Sequence, residues 1–311
     1  MGKSGIIETN DLVKNYGKFT AVDKLNLRVE EGEVFGFLGP NGAGKTTTIL
    51  MLLGLTEPTS GTALISGFDP TREPLKVKRI TGYLPEKVGF YEDLTAKENL
   101  DYTAALNGLP REVASSKIKA LLDMVGLSEM AEHKVSTLSH GMKQRLGIAD
   151  VMIKDPKVAF FDEPTSGIDP EGIEQVLALI KNMAKQKVTI VLSSHQLHQV
   201  QQICTRVGIM SKGRLVAEGS VDQLGREKLG GGKFRIEVQV SEPTSKLLKS
   251  IKKIKGVANV ESSGDLLLVS CDEDLRPQVA RAVVDSDSLL VQMRIDEYGL
   301  DEIYMKYFRE Q

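Results

Sequence analysis

The chain has no tryptophan, two cysteines and only 5% aromatic residues among 311. Cys204 and Cys271 lie far apart and form no CxxC pair, which argues against a disulfide framework or a cysteine zinc site. They read as two small residues in a reducing compartment. An excess of one charge is also missing. Forty Lys and Arg stand against 42 Asp and Glu, a formal net charge of -2. There is no global basic field to hold nucleic acid by its phosphates, so no nucleic-acid partner is expected. No run reaches the ~18 consecutive apolar residues of a membrane span. The start, MGKSGIIETN, lacks the apolar core of a signal peptide, and Ile6 stands where myristoylation needs Ser or Thr. By itself the chain is expected to be soluble and cytoplasmic. Work at a membrane then requires another subunit to bring the membrane part.

What is present is enough apolar residue, 41%, to bury a sizeable core over roughly two domains. Up to about residue 225, strand-like and helix-like patterns alternate, which predicts an α/β domain over 1–225. Val34–Leu38, Val158–Phe161 and Val188–Leu192 read as buried strands, each ending at a polar cluster. Ligand sites in open α/β sheets lie at such carboxyl ends. A helical insertion is predicted over about 88–150: Thr95-Ala96-Lys97-Glu98 fits a capping box, and Ile118, Leu121, Leu122 and Val125 keep helical spacing. Gly230-Gly231-Gly232 reads as a hinge. Beyond it, 226–311 predicts strands at Phe234–Val240, Val257–Glu261 and Leu266–Ser270, and an alternating strand carrying Leu289, Val291, Met293 and Ile295. Helices are predicted through Leu247–Ile254 and Leu275–Val284. The order β-α-β-β-α-β is that of a small α+β ferredoxin-like domain, followed by a terminal helix with Leu300, Ile303, Tyr304, Tyr307 and Phe308.

Gly39-Pro40-Asn41-Gly42-Ala43-Gly44-Lys45-Thr46 matches the P-loop pattern GxxxxGK[ST], between a strand and an apolar helical run. Its glycines let backbone N–H groups turn toward phosphates, and the helix start adds a favourable dipole. Gly39, Asn41, Gly42, Gly44, Lys45, Thr46 and Thr47 are therefore nucleotide-binding candidates. Lys45 brings positive charge to the β- and γ-phosphates. The Thr46 hydroxyl suits Mg²⁺, a hard cation. Phe161-Asp162-Glu163-Pro164 closes the second buried strand. Asp162 is the candidate metal carboxylate, and Glu163 the residue to polarise an attacking water. His195, after Ser193-Ser194 at the third strand end, is a candidate to hydrogen-bond the γ-phosphate. Taken singly, an acidic strand end or a histidine is more often a solvated or core residue.

Between these motifs lies Leu138-Ser139-His140-Gly141-Met142-Lys143-Gln144-Arg145. This run resembles the signature of the ATP-binding cassette (ABC) ATPases, usually LSGGQ. With the P-loop and the Asp162-Glu163 strand end in the family's order, the resemblance covers about residues 6–225. It implies a P-loop NTPase core of ABC type and an ATPase using ATP and Mg²⁺. It places Tyr16 as the aromatic that stacks on adenine. It puts Glu86, where a glutamine is usual, within reach of Mg²⁺ or water. It makes Ser166-Gly167-Ile168-Asp169 the D-loop. Asp169-Pro170 also suits a helix start by itself. Family members pair head to tail, and the resemblance carries Ser139 and Gly141 onto the γ-phosphate of a second subunit. His140 replaces a glycine. Helix-start geometry needs no positive φ, so it is expected to modify the site without disabling it.

The resemblance implies a subunit at the inner face of the membrane that energises a separate permease. A Glu86-bearing single cassette with an appended domain and the tail Tyr298–Tyr304 points to export of drugs, lipids or other small molecules. The alternative is a soluble ABC ATPase of translation, repair or cluster assembly. One P-loop and no sustained heptads weigh against it. The C-terminal domain reads as a packing extension or as a ligand sensor. Lys246, Lys249, Lys252, Lys253 and Lys255 read as the solvated face of a helix or as a contact for anionic lipid.

Overall fold

A computed structural model describes residues 5–229, 234–296 and 299–309. The predicted hinge at Gly230–Gly232 and Tyr298 of the tail lie outside the described residues. The chain divides into two compact units, Met1–Ala217 and Glu218–Gln311.

The first unit opens with β1 (Ile7–Tyr16) and β2 (Phe19–Val29), an antiparallel hairpin. β3 (Val34–Leu38), buried at every position, runs through the glycine loop into α1 (Lys45–Leu52). β4 (Ser60–Ile65) pairs with β1, giving a three-stranded sheet of order β2-β1-β4. α2 (Pro74–Ile80) and β5 (Thr81–Leu84) precede the helices α3 (Ala96–Leu106), α4 (Arg111–Met124) and α5 (His140–Met152). The remainder alternates: β6 (Val158–Asp162), α6 (Pro170–Lys185), β7 (Thr189–Ser194), α7 (Leu197–Ile203), β8 (Arg206–Ser211) and β9 (Arg214–Gly219).

The second sheet has six strands in the order β5-β6-β7-β3-β8-β9. β5 through β8 of that order pair in parallel. A parallel sheet is covered on both faces, so its strands are apolar without alternation. Phe35, Phe37 and Phe160 are fully buried in one core. Phe35 and Phe37, two residues apart and so on one face, meet edge to face at 5.1 Å between ring centres. The consequence for function is the adjacency of β6, β7 and β3, which puts three polar strand ends side by side.

α3 begins with the predicted capping box: Thr95 Oγ1 accepts from Glu98 N, and Glu98 accepts from Thr95 N. α4 buries Ile118, Leu121 and Leu122 as their spacing predicts. Asp169 does stand at the start of α6, before Pro170, but its side chain makes no cap hydrogen bond. It contributes backbone geometry there, and its carboxylate is left for other partners.

The second unit comprises α8 (Val221–Leu229), β10 (Phe234–Val240), α9 (Ser245–Lys252), β11 (Val257–Ser263), β12 (Leu266–Cys271), α10 (Arg276–Val284), β13 (Leu290–Asp296) and α11 (Leu300–Arg309). α8 runs across the position expected to divide the domains. The sheet order β11-β12-β10-β13 with antiparallel neighbours is the ferredoxin-like arrangement. Ile236, Val238, Leu247, Ile251, Val279 and Val283 form its core. Arg235 of β10 donates to both carboxylate oxygens of Glu302, tying α11 to the sheet. That pairing holds the Glu302 carboxyl below its ordinary pKa. The alternation expected of β13 breaks at a register shift between Gln239 and Val240. Met293 and Ile295 oppose Val238 and Ile236, whereas Leu289 and Val291 turn outward, 72% and 63% exposed. An irregular register exchanges the two faces of a strand.

Candidate nucleotide site

The loop between β3 and α1 bends where side chains do not fit. Gly44 has φ +103, and a Cβ there would lie 2.4 Å from the Ala21 carbonyl oxygen. Gly42 has φ +81, but the place of its missing Cβ is open space. The loop therefore keeps an open concavity beside the first turn of α1. That turn has no side-chain cap and no acidic residue. Its free N–H groups and positive dipole end suit an anion.

A cavity of about 200 Å³ adjoins this loop, lined by Tyr16, Phe19, Asn41, Gly42, Gly44, Lys45, Thr46, Thr47, Glu86 and Glu163, with Ala21 and Ala43. Most of the predicted binding residues thus meet in one place. Tyr16 and Phe19 oppose each other across the β1–β2 hairpin end. Tyr16 carries the Lys14 ammonium 5.0 Å above its ring. Phe19 is half-exposed beside the same cavity and was not foreseen. Only the strand pairing, and no motif, places it opposite Tyr16.

The strand ends are wired to the loop. Thr46 Oγ1 donates to Asp162 Oδ1 at 3.1 Å. Ser193 Oγ donates to the same oxygen. The Ser193 hydroxyl also accepts from Glu163 N at 3.1 Å. Ser193 is the second residue missed by motif reading. The pair serine at the end of an apolar strand was its only signal, and the parallel register Asp162↔Ser193 supplies the rest.

Lys45, only 6% exposed, is folded back on the loop. Its ammonium donates to the Gly39 carbonyl at 2.7 Å and the Pro40 carbonyl at 3.3 Å. It also lies 3.7 Å from Glu163 Oε1. Glu163 is 8% exposed and sits at φ +49, a left-handed conformation that costs a glutamate roughly 1–3 kcal/mol. Its Oε2 lies 2.9 Å from His195 Nδ1, while Oε1 is buried without a hydrogen bond. An ionised carboxylate only accepts, so His195 donates through Nδ1. Tyr83 of β5 lies near Asp162. Burial first, and that carboxylate second, push its phenol up to about 12, so it stays neutral at physiological pH.

Ser139, Gly141 and Asp169 do not line this cavity. They form a second cluster at the start of α5. Ser139 caps the helix, its Oγ accepting from Met142 N at 3.2 Å. A Cβ on Gly141 would come within 3.2 Å of Ile168 Cγ2 and 3.9 Å of Asp169 Oδ1. His140 is the first helical residue, so no positive φ is asked of it.

A P-loop at the end of one parallel strand, with a carboxylate pair and a histidine at the next two, defines a nucleoside-triphosphate hydrolase. Residues 22–166 match the family model described as ABC transporter. The chain is 45% identical over 222 residues, 71% of its length and 72% of the other, to the bacitracin transport ATP-binding protein BcrA of Bacillus licheniformis. It is 32% identical over 305 residues, 96% of its length and 97% of the other, to the linearmycin resistance ATP-binding protein LnrL of Bacillus subtilis. A solved ATP-binding subunit of an ABC transporter superposes with TM-score 0.66 and 31% identity, covering 71% of this chain and 92% of that one. The chain belongs to the ABC transporter family, as an ATP-binding protein. It binds and hydrolyses ATP to energise membrane transport.

Proposed function

We propose that this chain drives export of antibiotic-like, drug-like or lipid-like small molecules through a separate permease, docked at the inner face of the cell membrane. The end-to-end similarity to a linearmycin resistance protein supports the direction and the cargo class. Among the described residues no helix is long and apolar enough to cross a membrane. In this reading an ATP-binding part over 1–225, with helices over about 88–150, is joined to a C-terminal part over 226–311.

One observation carries the residue roles: Thr46, Asp162, Ser193, Glu163 and His195 join in one hydrogen-bonded array at adjacent strand ends, with the Lys45 ammonium 3.7 Å from Glu163 Oε1. The Gly39, Asn41, Gly42 and Gly44 loop and Thr47 enclose the phosphates, and Tyr16 stacks on the base. Lys45 exchanges the Gly39 and Pro40 carbonyls for phosphate oxygens, an exchange of neutral for anionic partners that favours the charged ligand. Thr46 and Asp162 present a hydroxyl and a carboxylate oxygen 3.1 Å apart. That donor set fits Mg²⁺, with Glu86 at the cavity rim as a further carboxylate. An ion held by these residues would supply charge neutralisation for the bound phosphates. Glu163, released from Lys45, accepts a hydrogen bond from the attacking water and aims it. His195 holds Glu163 through Nδ1. Donation to the γ-phosphate from its other nitrogen requires the imidazolium, or a ring freed from Glu163.

Ser139 and Gly141, outside their own subunit's cavity, serve the nucleotide of a second cassette arranged head to tail, with Asp169 beside them. Glu163→Gln is expected to lower kcat about 10²–10⁴-fold, leave ATP binding intact and accumulate an ATP-bound dimer in size exclusion. Normal turnover by that variant overturns the catalytic assignment. Co-purification with a polytopic membrane protein supports the transporter role. Sedimentation with ribosomes or DNA instead would overturn it.

A further inference from the structure

We propose that His140 is a positioning residue that ties the loop Ser166–Asp169 to the helix presenting Ser139 and Gly141. The inference rests on the use of those segments across a dimer, as proposed above. His140 Nε2 lies 3.0 Å from the Ser166 carbonyl oxygen. A carbonyl only accepts, so Nε2 carries the proton and donates. The ring lies along the loop: a Cβ on Gly167 would be 3.5 Å from both Cδ2 and Nε2 of His140. The next residue of the helix, Gly141, has Ile168 Cγ2 within 3.2 Å of where its Cβ would stand. Ser166 is thus bonded, and Gly167 and Ile168 are packed, by two consecutive residues of α5.

The same helix face reaches a second loop. Residues four apart lie one above the other on a helix, and the residue four beyond His140 is Gln144. It is fully buried and donates Nε2 to the Glu86 carbonyl at 3.3 Å. One rigid turn therefore holds the backbone after β6 through His140 and the backbone after β5 through Gln144. Glu86 lines the nucleotide cavity, whereas Ser166–Asp169 lies in the second cluster. A glycine at 140 keeps the helix but removes the side-chain donor, leaving Ser166 free to drift from Ser139. The histidine acts through the loop.

The test compares His140→Gln, which keeps an N–H donor, with His140→Leu and His140→Gly, which have none, in the full chain. ATPase kinetics and amide hydrogen exchange over 166–169 are read together, with thermal melts confirming folding. Losing one hydrogen bond predicts a kcat about two- to tenfold lower in the Leu and Gly variants. KM for ATP stays within about twofold, and exchange at Gly167 and Ile168 rises. Gln restores both readouts. Wild-type or raised kcat in the Gly variant overturns the proposal. So does a Gln variant no better than Leu, or a change confined to KM. A Glu163→Gln enzyme that still hydrolyses ATP points to failure of the underlying site reading. Loss of turnover in Glu163→Gln with none in His140→Leu defeats the positioning role alone.

Discussion

Glu163 is the residue on which the site's energetics concentrate. Its backbone is strained, one carboxylate oxygen is buried without a hydrogen bond, and the other is held by His195. Strain of that kind persists only where neighbours over-determine it. Ser193 is the neighbour that does so, bracing Asp162 with its proton and Glu163 N with its lone pair. Ser193→Ala leaves that buried N–H with only the Ser193 carbonyl, 3.1 Å away, and takes one donor from Asp162. It is expected to cost about 1–3 kcal/mol in chemical denaturation and to lower kcat more than it raises KM. Unchanged stability would show that the carbonyl suffices. Lys45 and Thr46 were legible in the sequence because fixed spacing on one strand-loop-helix unit places them, and Asp162 and Glu163 because they close an apolar strand. Ser193 and Phe19 were not. Each acquires its role from a partner strand, and pairing register is not written in local spacing.

Elements meet at the distances their smallest residues allow. β5 and α5 approach through two glycines: a Cβ on Gly82 would lie 2.5 Å from Val151 Cγ1, and one on Gly147 would lie 2.4 Å from Leu84 Cδ1. This close seat holds the helix that carries Ser139, His140 and Gln144. Gly82→Ala forces a buried valine and its carbonyl, 3.1 Å away, to move. Overpacking of that kind costs about 1–3 kcal/mol. The expected outcome is a lower denaturant midpoint with unchanged m-value, and slower ATP turnover from a displaced α5. The buried strands and the α3 capping box were legible as elements, since burial and capping leave local signs. The outward turn of Leu289 and Val291 was not. It follows from a bulge, and a bulge shifts the face of every residue beyond it.

At the scale of the molecule, one chain holds a P-loop cavity and a Ser139–Gly141 cluster that does not line it. If a second copy completes each site, turnover per subunit depends on association. Specific ATPase activity is then expected to rise with protein concentration and level off as dimer saturates. Mixing wild-type chains with an excess of Glu163→Gln chains is expected to lower activity beyond simple dilution. A flat concentration profile and strictly proportional mixing would show that each chain works alone. The balanced charge, -2 overall, leaves such association to local contacts and the bound nucleotide, without a strong field of either sign.

The family and its ATPase activity were legible in the sequence alone. The P-loop, the Asp162-Glu163 strand end, His195 and the run around Ser139 are short segments recognised by their order and spacing, and together they pointed to an ATPase of the ABC family. Tertiary structure decided what those segments touch. It set Ser193 beside Asp162 and Phe19 opposite Tyr16. It folded Lys45 back onto Gly39, and it turned His140 from an irregularity in a motif into a donor to the Ser166 carbonyl. Those contacts join residues remote in the chain. They exist only once parallel strands are in register and helices are seated on them, which is long-range information that local spacing does not carry.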